Sequence, residues 1–113
     1  MTNPDSGIVI IATLTATSEN RDHLLQALQE LLPAARAESG VYTFLLHENR
    51  QEPGQFTLYE HFRDQTAIDT HFSSPHFGRI SNALAQYADG PAILTYHQPL
   101  QCTDIRGGPD ECA

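Results

Sequence analysis

The hydrophobic period of this chain switches between that of a strand and that of a helix in one order, and that order restricts the fold more than any other feature. Ile8–Thr15 comes first. Its opening residues, Ile8–Ala12, are apolar on both alternating faces, as in a strand covered from both sides. Leu24, Leu25, Leu28, Leu31, Leu32 and Ala35 then recur at helical spacing, with Ser18 as the predicted N-cap. Pro33 lacks the N–H for a bond back to Gln29, which predicts a kink or a distorted last turn. Gly40 suits the residue after the helix end. Val41–Glu48 and Gln55–Phe62 return to strand character, and the polar turn Asn49–Gly54 predicts an antiparallel hairpin between them. Asp64 can cap a short helix carrying Ala67, Ile68, His71 and Phe72. Ser73-Ser74-Pro75 interrupts it, and Ser74 with Pro75 at the first helical position restarts a helix along Phe77, Ile80, Leu84 and Tyr87. Asp89-Gly90-Pro91 ends that helix, and Ala92–His97 supplies a fourth strand.

The order β-α-β-β-α-β predicts an α+β domain of ferredoxin-like, split βαβ type over residues 1–98. Residues 1–7 read as a loose leader within it, and residues 99–113 as a flexible tail or dimer arm. With 113 residues the chain makes one domain of modest core. Helices on one side of a four-stranded sheet leave the other side with apolar residues. Two copies packed sheet to sheet would bury them, so a homodimer is expected.

Charge narrows the partners. Fourteen acidic residues stand against six Arg and no Lys. Nucleic acid and anionic membrane surfaces both demand clustered positive charge, so neither is an expected partner. The longest apolar run falls far short of a bilayer span, and no signal-like segment opens the chain, so the cytoplasm is the expected location. Cys102 and Cys112 both lie in the tail, too far apart for a metal-binding pair, and read as free thiols.

Chemistry resides in polar residues at apolar positions. Glu60 shares a strand face with Phe56, Leu58 and Phe62, and His71 lies on a helical stripe with Ala67, Ile68 and Phe72. A buried carboxylate needs a partner or a proton, and an imidazole exchanges protons near neutral pH. The two could form a base with an orienting carboxylate, or simply a satisfied core pair. His76 opens the next helix, and His97 ends the last strand, where it could line a pocket. His23, His47 and His61 read as surface residues. Glu60, His71 and His76 could also make a two-His-one-carboxylate triad, but no tight spacing supports it, and neither metal nor cofactor is expected. No dinucleotide or phosphate-loop motif and no nucleophile elbow is present.

The stretch Phe56–Phe77, reading Phe-Thr-Leu-Tyr-Glu-His-Phe, then Asp64, Ala67-Ile68 and His71-Phe72-Ser-Ser-Pro-His-Phe, resembles the antibiotic-biosynthesis monooxygenase superfamily and its quinol-monooxygenase-like members. Glu38-Ser-Gly40 is similar to that family's Glu-x-Gly after its first helix. The resemblance covers about residues 8–98 and implies a dimeric ferredoxin-like barrel with a pocket between helices and sheet. It also implies cofactor-independent oxygenation of a small aromatic quinol or phenol by O₂. Glu60 and His71 would be orienting acid and base, with Phe72, His76 and Phe77 lining the pocket. Where His71 stands, the haem-degrading branch has Trp, and its axial His falls near Ser81, so haem chemistry is not implied. A branch that isomerises a phosphorylated signalling metabolite is also similar at Tyr59-Glu60 and Ser74-Pro75-His76, with Arg63 and Arg79 as the nearby cations. A non-catalytic small-molecule-binding dimer is the third reading.

Overall fold

Strands β1 (Ile8–Thr15), β2 (Val41–Glu48), β3 (Gln55–Phe62) and β4 (Ile93–His97) form one antiparallel sheet in the order β2-β3-β1-β4. The computed structural model describes residues 6–100. Three helices complete the order: α1 (Arg21–Arg36) between β1 and β2, then α2 (Gln65–Phe72) and α3 (Pro75–Tyr87) between β3 and β4. This is the ferredoxin-like arrangement that the sequence order predicts, with the second helical segment broken at Ser73-Ser74. Cys102, Cys112 and the predicted tail beyond Leu100 lie outside the described residues.

Register decides which face is core. Ile10, Ala12 and Leu14 of β1 stand opposite Glu60, Leu58 and Phe56 of β3. Phe44, Leu46 and Glu48 of β2 face the same three. On that side the sheet packs against Leu24, Leu28, Leu31 and Ala35 of α1, Ala67 and Ile68 of α2, and Ile80 and Ala83 of α3. Each fully buried Leu, Ile or Phe contributes roughly 1.5–3 kcal/mol. The opposite face carries Ile11, Thr13, Leu45, Thr57, Tyr59 and Ile93, with no helix over them among the described residues. There Leu45 keeps 41% and Ile93 65% of their surface exposed.

The caps follow the sequence in part. The Asp64 side chain accepts from Ala67 N–H at 2.9 Å, and Ser74 Oγ accepts from Phe77 N–H at 3.2 Å. Asn20, not Ser18, caps α1, and its side chain makes no capping bond. The preceding turn explains the delay. Thr17 N–H is bonded to Tyr87 O at the end of α3, and Asn20 Nδ2 is bonded to Thr17 Oγ1, so α1 starts only after this tie. The helix then runs on through Pro33 to Arg36. Arg21 fixes its other end to the hairpin, donating to both carboxylate oxygens of Glu48 at 2.6 and 3.0 Å.

Gly40 does not take the left-handed conformation of a helix stop, since positive φ is confined to Gly7, Gly54 and Gly90 among the described residues. Its reason for being glycine is contact. A Cβ there would lie 2.4 Å from Cβ of Ala67, where the start of β2 meets α2. Gly40 O also accepts from Arg63 N–H at 2.8 Å. The two segments that carry Glu38 and His71 therefore approach as closely as backbone allows.

Candidate active site

The loop after α1, the short α2 and the first turn of α3 bring three polar side chains together. Glu38 Oε2 lies 2.8 Å from His71 Nδ1 and 2.5 Å from His76 Nε2. His71 is fully buried, with the rings of Phe44, Phe62, Phe72 and Phe77 centred 5.4–5.7 Å from its own. His76 reaches Glu38 from the start of α3, where Ser74 holds the helix break: its Oγ donates to His71 O at 2.6 Å and caps α3.

The partner of His71 is thus Glu38, and not Glu60 as the strand pattern suggests. The pattern shows which residues face inward but not which loop folds over them. The Glu-x-Gly segment was the sequence signal that marked Glu38. Glu60 stands in the same neighbourhood, buried on the helix-facing side of β3, with Oε1 lacking any hydrogen-bond partner among the described residues. Burial, aided by the nearby charge of Glu38, pushes its carboxyl up to about 8. Burial also lowers the pKa of His71, against the opposing pull of Glu38.

These shifts assign protonation. At neutral pH Glu60 is a neutral acid and so a hydrogen-bond donor. His71 is held as neutral imidazole. A carboxylate at Nδ1 accepts its N–H, so the lone pair resides on Nε2, at the far side of the ring. Glu60 and His71 line one cavity. That cavity, of about 70 Å³, is lined by Glu60, His71, Phe72 and Phe77, by Leu31, Ile80 and Leu84 of the helices, and by Ala12, Leu58 and Leu94 of the sheet. It is far smaller than the several hundred Å³ usual for ligand sites. A ligand must be small or must displace the half-buried rings of Phe72 and Phe77.

His76 does not line this cavity; it borders a more open groove of about 280 Å³ between α1 and α3, with Glu30 and Arg79. His97 is brought to neither. It pairs with Val9 on the uncovered face of the sheet, is exposed, and lies 2.7 Å through Nε2 from Thr95 Oγ1. Alternation along β4 is the physical reason: Leu94 and Tyr96 point to the helix side, and His97 points away. His61, which reads as a surface residue, is buried on that uncovered face, with Nε2 2.7 Å from Ser6 O. The chain before β1 folds over it, aided by Gly7, where a Cβ would meet Phe62 O at 2.3 Å.

Comparison with known proteins agrees with this architecture. The family model described as antibiotic biosynthesis monooxygenase matches residues 7–83. Rv0793 of Mycobacterium tuberculosis is 28% identical over 100 residues, covering 88% of this chain and 95% of the relative. YcnE of Bacillus subtilis is 31% identical over 70 residues, covering 62% of this chain and 74% of the relative. The crystal structure of PA3566 from Pseudomonas aeruginosa superposes with a TM-score of 0.81 at 26% identity, covering 88% of this chain and 99% of that one.

Proposed function

Because this chain belongs to the antibiotic biosynthesis monooxygenase family, we propose that its cavity oxygenates a small phenolic or quinol substrate with O₂, using His71 as base and Glu60 as acid. One observation carries the reading: His71, its Nδ1 bonded to Glu38, and the buried Glu60 line the same apolar cavity, where burial pushes the Glu60 carboxyl up to about 8. His71 Nε2 takes the phenolic proton. The protonated Glu60 donates to the oxygen on which negative charge develops, in a site whose apolar walls keep that interaction strong. The electron-rich anion is what O₂ oxidises. For a hydroquinone, one oxygen atom enters the ring, the other leaves as water, and the product is a hydroxyquinone. The substrate supplies all the electrons. Glu38 touches no substrate in this scheme. It holds the His71 ring and selects the reactive tautomer.

Oxygen uptake by the purified protein with a panel of hydroquinones, with and without chelator, tests the reading. Uptake that survives chelation and falls by about 10²–10⁴-fold in His71→Ala is expected for loss of a general base. Turnover unchanged in that variant would sink the base assignment. Loss of uptake on chelation would replace the metal-free scheme, and proton exchange on a small oxygenated metabolite without uptake would favour isomerisation.

A further inference from the structure

The Glu38–His71–His76 cluster has a geometry that the proposed chemistry does not use. It needs only the His71–Glu38 bond. Yet two imidazole nitrogens converge on the same carboxylate oxygen, Oε2, while Oε1 of Glu38 is buried and has no hydrogen-bond partner among the described residues. One donor atom from each side chain lies within 4.8 Å of the other two. Zinc holds nitrogen and carboxylate ligands about 2 Å away, which sets neighbouring ligand atoms about 3 Å or more apart. The present spacings of 2.8 and 2.5 Å need open by only a few tenths of an ångström. A cation at this point would also engage the unpartnered Oε1. Two imidazoles and one carboxylate suit zinc or ferrous iron and not the oxygen-seeking calcium or magnesium. His76 also borders the groove between α1 and α3.

We propose that Glu38, His71 Nδ1 and His76 Nε2 form a binding site for one divalent transition metal ion of the zinc or ferrous class. Binding has a chemical consequence at the cavity. The ion takes the Nδ1 lone pair of His71, so the ring proton moves to Nε2 with no net loss of a proton. Nε2, the nitrogen not bonded to Glu38, turns from acceptor to donor. Metal binding and base catalysis by His71 then exclude each other, a corollary that rests on the function proposed above.

Titration of the full chain with Co²⁺, followed by visible d–d absorption, and with Zn²⁺, followed by calorimetry, tests the site without any turnover. One ion per chain is expected. Affinity should fall by more than about tenfold in both Glu38→Gln and His76→Ala and stay unchanged in His47→Ala. The same titration in the double variant Cys102→Ser, Cys112→Ser should be indistinguishable from the original chain. Thermal melts of the metal-free variants confirm that they fold, and Zn²⁺ should raise the melting temperature of the original chain but not of Glu38→Gln. No uptake of either ion would overturn the site, as would uptake that persists in both ligand variants or disappears with the cysteines. Zn²⁺ that binds as described yet leaves oxygen uptake intact would refute His71 as base while leaving the metal site standing.

Discussion

Glu60 is where protonation, stability and turnover meet. The folded protein holds its proton up to about pH 8, whereas the unfolded chain releases it near the ordinary value of 4.5. The folded state therefore binds more protons between those values. The stabilisation is full below 4.5 and is lost as pH rises through 8. At about 1.4 kcal/mol per pH unit the effect amounts to a few kcal/mol. Chemical denaturation of Glu60→Gln across this range should show a markedly flatter stability profile than the original chain; parallel profiles would mean that Glu60 is not held neutral. Activity should share the alkaline limb. Turnover should rise as His71 becomes neutral, below the ordinary imidazole range, and fall as Glu60 ionises near pH 8. An amide still donates a hydrogen bond, so a pH–rate profile of Glu60→Gln should lack the fall. At this scale the sequence was half legible. Glu60 and His71 are recognisable as polar residues on apolar stripes, because periodicity reports which face a side chain takes. Periodicity does not give the partner of His71. Glu38 meets His71 across 33 positions and His76 across 38, through a loop with no period to read.

Among the elements, the break between α2 and α3 positions both histidines. Ser74 caps α3 through Phe77 N–H and holds His71 O with its hydroxyl hydrogen. Ser74→Ala should cost about 1 kcal/mol in denaturant melts. It should also shift the imidazole NMR signals of His71 and His76 together, whereas unchanged signals would mean that the break does not set the site. Here local chemistry made the structure legible: Ser-Pro and Asp64 dictate helix starts through bonds to residues three positions away. The start of α1 was not, because Thr17 is tied to Tyr87, 70 positions along the chain.

Among the described residues, no helix covers the second face of the sheet. Leu45, Ile93 and Tyr59 stand there, and two copies packed face to face would bury them, which is the homodimer we propose. Leu45→Asp would put a charge in the middle of that contact. Light scattering after size exclusion should find monomer or aggregate; a variant that stayed dimeric would place the interface elsewhere. The order of elements carried the fold because the period alternates cleanly between strand and helix. The end of a strand does not say which way its last residue points, and His97, one step beyond Tyr96, faces away from the helix side.

The contact of Gly40 with Ala67 gives this scaffold a rule about its own divergence. The reach of His71 is set where two small residues, Gly40 and Ala67, meet, and neither borders the cavity. Natural drift or laboratory selection can exchange the wall residues for new substrates while this spacer keeps the imidazole in register with Glu38. A larger residue at position 40 or 67 would force the start of β2 and α2 apart. Positions that choose the substrate and positions that keep the machinery aligned are thus separable in this chain, and a library built for new specificity should leave 40 and 67 alone.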